Sequence, residues 1–252
     1  MSRLGRRVPF LRWSFVRMML GIKHLTTEWQ VGDGREEALR AYVLENAPAG
    51  DLDAAIDAVD RFAYERSYLI NVGDEKGRIL DRAVQRSGAR LVLELGTYCG
   101  YSALRTARTL GEGGRIVSLE FNPDNAAIAR AILEHAGVGE RVTVVDGTLG
   151  DGKTPDVLTS EHGLAPGSVD LVFIDHDKDA YVPDLQTILE RRWLHAGSVV
   201  VADNIKLPGA PEYREFMAGH QGGDWTTVEH ETHVEYQSML KDLVLESEYR
   251  GA

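Results

Sequence analysis

Asp175 follows directly on the apolar run V-D-L-V-F-I at 169–174, and Asp203 and Asn204 follow S-V-V-V-A at 198–202. Oxygen donors at the ends of two such runs suit a hard divalent cation, and a set this small leaves coordination positions open for water or another molecule. The same residue types also cap helices and form turns, so both readings stay open at this point. Lys178 lies three residues beyond Asp175, close enough to share such a site. Beside a divalent cation a lysine gives up its proton more readily, as a general base must; on its own it is an ordinary solvated charge.

The stretch V-L-E-L-G-T-Y-C-G-Y-S at 92–102 carries a second constellation. Val92, Leu93 and Leu95 suit a strand buried on both faces, and from Tyr101 the apolar spacing becomes helical through Leu104, Ala107 and Leu110. A strand, a glycine turn and a helix start bring backbone N–H groups close to a ligand. The order Glu94-x-Gly96-x-x-x-Gly100 is not the G-x-G-x-x-G of dinucleotide sites. A carboxylate inside the motif repels a pyrophosphate and suits the ammonium and sulfonium cations of S-adenosylmethionine; glycines serving only local packing are the plainer alternative. Glu120 ends R-I-V-S-L-E, where a carboxylate can accept both ribose hydroxyls of an adenosyl or an NAD ligand.

Two other metal patterns fail. Asp175-x-Asp177-x-Asp179 begins like a calcium loop, yet Ala180 stands where glycine is needed and Gln186 where the bidentate Glu belongs. His230-Glu231-Thr232-His233 lacks the i, i+4 spacing of a zinc helix, and on a strand its histidines face opposite sides. His162 and His220 are expected at the surface.

The elements that must position these residues alternate. Strands are predicted at 92–95, 115–119, 142–145, 169–174 and 198–202, with helices after Tyr101, from Asn122-Pro123-Asp124 to about 136, near 155–162 and over 181–192. Trp225–Val234 and Met239–Glu246 alternate as an antiparallel hairpin. This is the pattern of an α/β fold, a doubly wound, Rossmann-like, seven-stranded sheet with helices on both faces. Ahead of it, helical faces run through Ala38, Leu39, Tyr42 and Val43 and through Ala54, Ile56, Val59 and Phe62, with Asp51 as a cap. I-N-V-G-D-E-K-G at 70–77 is predicted as a polar turn before a helix through Ile79, Leu80 and Val84.

The chain divides into a basic arm at 1–30 and one domain at 31–252. The arm holds six of the 28 Lys and Arg residues and one of the 39 acids, so the body is strongly acidic. A net charge of -11 argues against general nucleic-acid binding, which rests on a basic surface. Leu11, Phe15, Met18, Met19 and Ile22 recur at helical spacing after Pro9. Such an arm packs on the body or a second subunit, lies on an anionic membrane surface, or stays disordered; packing is favoured here. It is too short and too interrupted to span a bilayer, and no signal-cleavage site follows. The single cysteine, Cys99, excludes internal disulfides, reads as a small buried filler, and with the lack of a signal peptide points to the cytoplasm. Oligomeric state is left open.

Taken together, I-N-V-G-D-E-K-G, V-L-E-L-G-T-Y-C-G-Y-S, E-F-N-P-D at 120–124, D-H-D-K-D at 175–179, A-D-N-I-K-L-P-G at 202–209 and V-E-Y at 234–236 resemble the catechol O-methyltransferases, within the class I S-adenosylmethionine-dependent methyltransferases. The likeness runs from about Glu36 to Leu245. It implies Mg²⁺ on Asp175, Asp203 and Asn204, Lys178 as the base and Glu235 on the second hydroxyl of a small catechol substrate. It implies cofactor contacts from Val72, Glu94, Gly96, Tyr98, Ser102, Glu120, Asp175 and His176, and substrate walls from Tyr68 and Pro208, with Lys178 and Asn204 also touching substrate. Departures are Asp177, where mammalian members carry a tryptophan near the adenine, Gln237 in place of an apolar residue, and Leu149 and Gly150 in place of polar contacts. The rival expectations are a metal-dependent O-methyltransferase of a larger phenolic such as a flavonoid or caffeoyl ester, a non-catalytic cofactor-binding protein, and an NAD-dependent oxidoreductase.

Overall fold

The computed structural model describes residues 13–20 and 30–251. Helix α1 (Trp13–Leu20) comes first, followed by α2 (Arg35–Asn46), α3 (Leu52–Glu65) and α4 (Gly73–Ser87). Strands and helices then alternate: β1 (Leu91–Leu95), α5 (Tyr101–Thr109), β2 (Arg115–Glu120), α6 (Pro123–His135), β3 (Val142–Asp146), α7 (Thr154–Ser160), β4 (Val169–Ile174), α8 (Tyr181–Glu190) and β5 (Leu194–Ala202). Helix α9 (Pro211–Gly219) and strands β6 (Trp225–His233) and β7 (Lys241–Tyr249) complete the order. Pro9, Leu11 and Ile22 of the arm lie outside the described residues. Among those described, no helix is long and apolar enough to cross a membrane.

The sheet has seven strands in the order β3-β2-β1-β4-β5-β7-β6. The first five are parallel, and β7 runs antiparallel to both β5 and β6. Strand order therefore reverses between β1 and β4, and in open sheets of this kind ligands bind outside the carboxyl ends at such a switch point. Every residue of β1 is buried, as a parallel strand covered on both faces must be. One face packs Val92, Ile116, Leu171 and Val201 against α2 to α6; the other packs Leu93, Val172 and Val200 against α7 to α9. Local signals fix the helix starts: Asp51 accepts the Ala54 N–H, and Asn122 accepts those of Asp124 and Asn125 with Pro123 at the first turn.

The structure departs from the sequence reading in a few places. Helix α4 begins at Gly73, inside the stretch read as a turn; Asn71 Oδ1 caps the Gly73 N–H at 3.0 Å, and Asp74 and Glu75 suit the positive end of the helix. Helix α8 stops at Glu190, before Arg192 takes a φ of 55°. Strand β5 starts at Leu194, with its pairing to β4 shifted between Val169 and Leu171. Residues 234–240 separate β6 from β7, and there Gln237 bonds the carbonyls of Val234 and Leu240 and the N–H groups of Met239 and Leu240. The polar residue at 237 thus replaces the missing ladder hydrogen bonds of that connection.

At the switch point β1 and β4 come close together through Gly96. It sits at φ 101°, and a Cβ there would lie 2.3 Å from the carbonyl oxygen of Asp175, a backbone atom that cannot step aside. Gly96→Ala is therefore expected to cost at least about 2 kcal/mol in urea unfolding, against about 1 kcal/mol for Gly88→Ala, where only the positive φ is penalised. Equal costs at the two positions would show that the contact is not tight.

Candidate active site

A cavity of about 760 Å³ opens at the carboxyl ends of β1, β2, β4 and β5. On the β1 and β2 side its wall includes Val72, Gly96, Tyr98, Ser102, Glu120 and His176. Tyr68, Asp175, Lys178, Asn204, Pro208 and Glu235 line the rest of it. The remaining two residues singled out in the sequence, Glu94 and Asp203, are not part of its lining; they are buried behind it, 1% and 0% exposed, Glu94 against Ser102 and Asp203 against Asn204. Twelve of the fourteen thus line one cavity, and the other two lie directly behind it.

On the β1 side the charges are all negative. Ser118 donates to Glu94 at 2.5 Å, and burial, opposed by the Ser118 and Ser102 hydroxyls, lifts the Glu94 carboxyl to about 7; Asp175 and Glu120 add to the shift. Glu120 accepts the N–H groups of Tyr98 at 2.7 Å and Asn122 at 3.0 Å, and burial still raises its pKa. A cation placed among these three carboxylates would restore the ionised state of Glu94. Tyr98, at φ 49°, gives its hydroxyl to Glu36 of α2 at 2.9 Å, which leaves its ring along the cavity wall. His176 bonds Asp184 through Nε2 at 2.7 Å, while its buried Nδ1 has no partner among the described residues. Asp177 caps the turn that follows, accepting the Asp179 N–H, and Leu149 is buried apolar lining.

On the β4–β5 side Lys178 Nζ meets Asp175 Oδ1 at 3.1 Å and the Tyr181 hydroxyl at 2.6 Å; that hydroxyl donates to the Asp203 carbonyl. Beneath them Lys76, fully buried on α4, touches carboxylates from three elements: Glu235, Asp203 at 2.8 Å and Asp242 at 3.1 Å. Burial alone would lower its pKa, but these neighbours hold it well above the ordinary lysine value. The carboxylates divide that one charge unequally. Asp242 is held below its usual range, since Lys76 and the N–H groups of Leu243 and Leu207 outweigh burial, while burial pushes Asp203 up despite Lys76. The Lys76 contact to Asp203 Oδ2 is an ion pair without hydrogen-bond alignment, so that buried oxygen lacks an aligned donor.

The donor set can be tested against a hard divalent cation on these contacts. Among the described residues Asp175, Asp203, Glu235 and Asp242 pair only with Lys76 and Lys178, four carboxyl groups to two ammonium groups. Asn204, at φ 54°, directs Nδ2 to Glu235 and Asp242, 3.0 Å from each. The amide cannot turn over without setting its oxygen against two carboxylates, so Oδ1 is left as an acceptor. Among the described residues no group of three or more His, Cys, Asp or Glu side chains is placed to hold a metal ion. Two carboxylates and one amide oxygen instead match an ion such as Mg²⁺, which keeps water or substrate in its remaining positions.

Lys76 and Asp242 were not singled out by the sequence reading. Lys76 falls one helical step before Ile79 and Leu80, on the apolar face of α4, and a lysine there signals a buried partner. Asp242 carried no comparable signal; its role comes from holding Asn204 and the N–H groups of Lys206 and Leu207. Phe15 and Met18 of the arm were noted for helical spacing, and they also line the cavity.

Comparison with known proteins places the chain in a family. The O-methyltransferase family profile matches residues 51–212. A Mycobacterium tuberculosis protein named as a probable O-methyltransferase is 58% identical over 235 residues, covering 93% of this chain and 100% of that one. The catechol O-methyltransferase of Bos taurus is 40% identical over 190 residues, 75% of this chain and 68% of its own. Among solved structures, the O-methyltransferase TomG of Streptomyces achromogenes in complex with S-adenosylmethionine superposes with a TM-score of 0.64 at 25% identity, covering 87% of this chain and 99% of that one. An adenosyl-type cavity at the switch point and this degree of likeness lead to one conclusion: the chain belongs to the O-methyltransferase family and is an S-adenosylmethionine-dependent O-methyltransferase.

Proposed function

We propose that the acceptor is a catechol and that methyl transfer to one of its hydroxyls is assisted by Mg²⁺. The observation that carries this reading is the excess of carboxyl groups over ammonium groups around Lys76 and Lys178, at one end of the cavity. Relatives named catechol O-methyltransferase at 35–40% identity support it.

Asp175, Asp203 and Asn204 Oδ1 would hold the ion, which when bound would supply the positive charge that favours ionisation of two vicinal hydroxyls. Lys178 takes the proton of the attacking hydroxyl on Nζ, an atom kept in place by Asp175 Oδ1 and the Tyr181 hydroxyl. Glu235 accepts the second hydroxyl on Oε2, whose contact with the Tyr68 hydroxyl is long at 3.4 Å; Oε1 is already occupied by Lys76 and Asn204. Tyr68 and Pro208 flank the ring. Glu94 faces the cationic end of the methyl donor, Glu120 its ribose, and His176 Nδ1 offers a further contact, with Val72, Gly96, Tyr98 and Ser102 completing the wall. Oriented this way, the phenolic oxygen forms its bond to the methyl carbon as the carbon–sulfur bond breaks, and positioning and electrostatics supply most of the rate.

The direct experiment is transfer of labelled methyl from S-adenosylmethionine to a panel of catechols, monophenols and hydroxycinnamoyl esters, with Mg²⁺ or EDTA. Catechols are expected to react at least about 100-fold faster than monophenols, and EDTA to abolish the reaction. Monophenols reacting equally fast and untouched by EDTA would sink the chelation mechanism. A second outcome follows from Glu94. Its carboxyl is raised to about 7 in the free protein, and a cationic ligand binds the ionised form. S-adenosylmethionine affinity should rise as pH goes from about 5.5 to about 7.5, approaching tenfold per unit at the acid end, and Glu94→Gln should flatten the profile. Calorimetric titration showing a flat wild-type profile would remove Glu94 from the cofactor site.

A further inference from the structure

The arm helix α1 is seated on the body by polar contacts that fix its register. The Ser14 hydroxyl accepts the Tyr68 N–H at 3.1 Å, and its carbonyl accepts Arg35 Nη2 at 3.0 Å. The same guanidinium, 2% exposed, bonds the Tyr68 carbonyl through Nη1 and pairs with Asp33 at 2.8 Å. Arg17 reaches outward to Asp33 at 3.4 Å. Ser14, Phe15 and Met18 are consequently buried, while Trp13 and Leu20 on the outer side are 68% and 77% exposed.

This seating gives two apolar side chains a defined place in the acceptor end of the cavity. Phe15 packs edge-on against the Tyr68 ring, centroids 5.0 Å apart and planes at 81°. The hydroxyl of that Tyr68 ring points to Glu235, so the order from the reacting end outward is Glu235, Tyr68, Phe15. Met18 lines the same cavity, with Leu207, Val234 and Leu240 as further apolar lining. No charged side chain of α1 reaches the cavity, since its one ionisable residue, Arg17, is committed to Asp33 outside.

We propose that Phe15 and Met18 are specificity residues of the acceptor site. They form an apolar end wall that selects phenolic acceptors bearing an uncharged alkyl or aryl substituent away from the reacting hydroxyls. The inference rests on the catechol reading for the orientation of the acceptor. An ammonium or carboxylate substituent would be taken out of water against Phe15 and Met18 with no charged partner from α1, which is costly, whereas an alkyl chain gains contact area. Methionine suits such a wall because its unbranched thioether adapts to chains of different shape.

The test compares 4-hexylcatechol with 2-(3,4-dihydroxyphenyl)ethylamine as acceptors of the full chain and of two variants, Phe15→Ala/Met18→Ala and Met18→Glu. Both kcat/KM and calorimetric affinity in the presence of S-adenosylhomocysteine are measured. The wild type should favour the hexyl compound, and the double variant should cut that preference about tenfold. Met18→Glu should shift the preference toward the ammonium compound, a gain that misfolding cannot produce. A preference unchanged by both variants, or a wild type that favours the ammonium compound, overturns the wall. Transfer that proceeds with an unchanged preference rejects the wall and leaves the catechol reading standing. Variant-dependent binding preference without any methyl transfer supports the wall and rejects that reading.

Discussion

One buried ammonium organises the reacting end of this enzyme. Lys76 stands among Asp203 at the end of β5, Glu235 in the connection after β6 and Asp242 on β7, all of them buried. Removing one partner of a buried charge pair commonly costs about 3–5 kcal/mol, because the remaining charge is left without compensation. Here the remaining charges would be three. The lysine thus joins the first turn of α4 to the antiparallel edge of the sheet, and it orients the groups around Asn204. Its single charge is still too little for the carboxylates around it, and the surplus is what makes the site suited to a further cation.

The second constraint is the close approach of β1 and β4 at Gly96. Because no side chain fits there, the glycine loop after β1 and the acidic turn after β4 share one cavity. This juxtaposes the all-carboxylate wall of Glu94 and Glu120 with Asp175 and Lys178. On the proposed reading, a cationic methyl donor on one side and a chelated diol on the other would be opposed across this cavity, the arrangement an in-line transfer needs. The arm is fastened at the far end through Ser14 and Arg35, both of which bond the backbone of Tyr68.

Much of this was legible in the chain. The strands read as short apolar runs, and four of the five carry, at or next to the end, a polar residue that the structure places in or behind the cavity: Glu94, Glu120, Asp175 and Asp203; the fifth ends at Asp146, which pairs with Arg130 at the surface instead. Their convergence follows from the parallel topology, which puts successive carboxyl ends on one side of the sheet. What could not be read was contact between distant segments. Lys76 lies 166 positions from Asp242, and nothing local in either announces the pair. The helical spacing of Phe15 and Met18 indicated a buried face without naming Tyr68 as the surface beneath it. Gln237, a departure from the resembling family, became intelligible only once it was seen satisfying the backbone between β6 and β7.

The proposed chemistry requires the acidic cluster to have room for one more divalent charge. Mn²⁺ binding to the full chain, followed by electron paramagnetic resonance with Mg²⁺ as competitor, measures this directly. One site that Mg²⁺ displaces, and that Asp203→Asn weakens by at least about tenfold, is the expected result. No saturable site, or a site indifferent to Asp203→Asn, would contradict it.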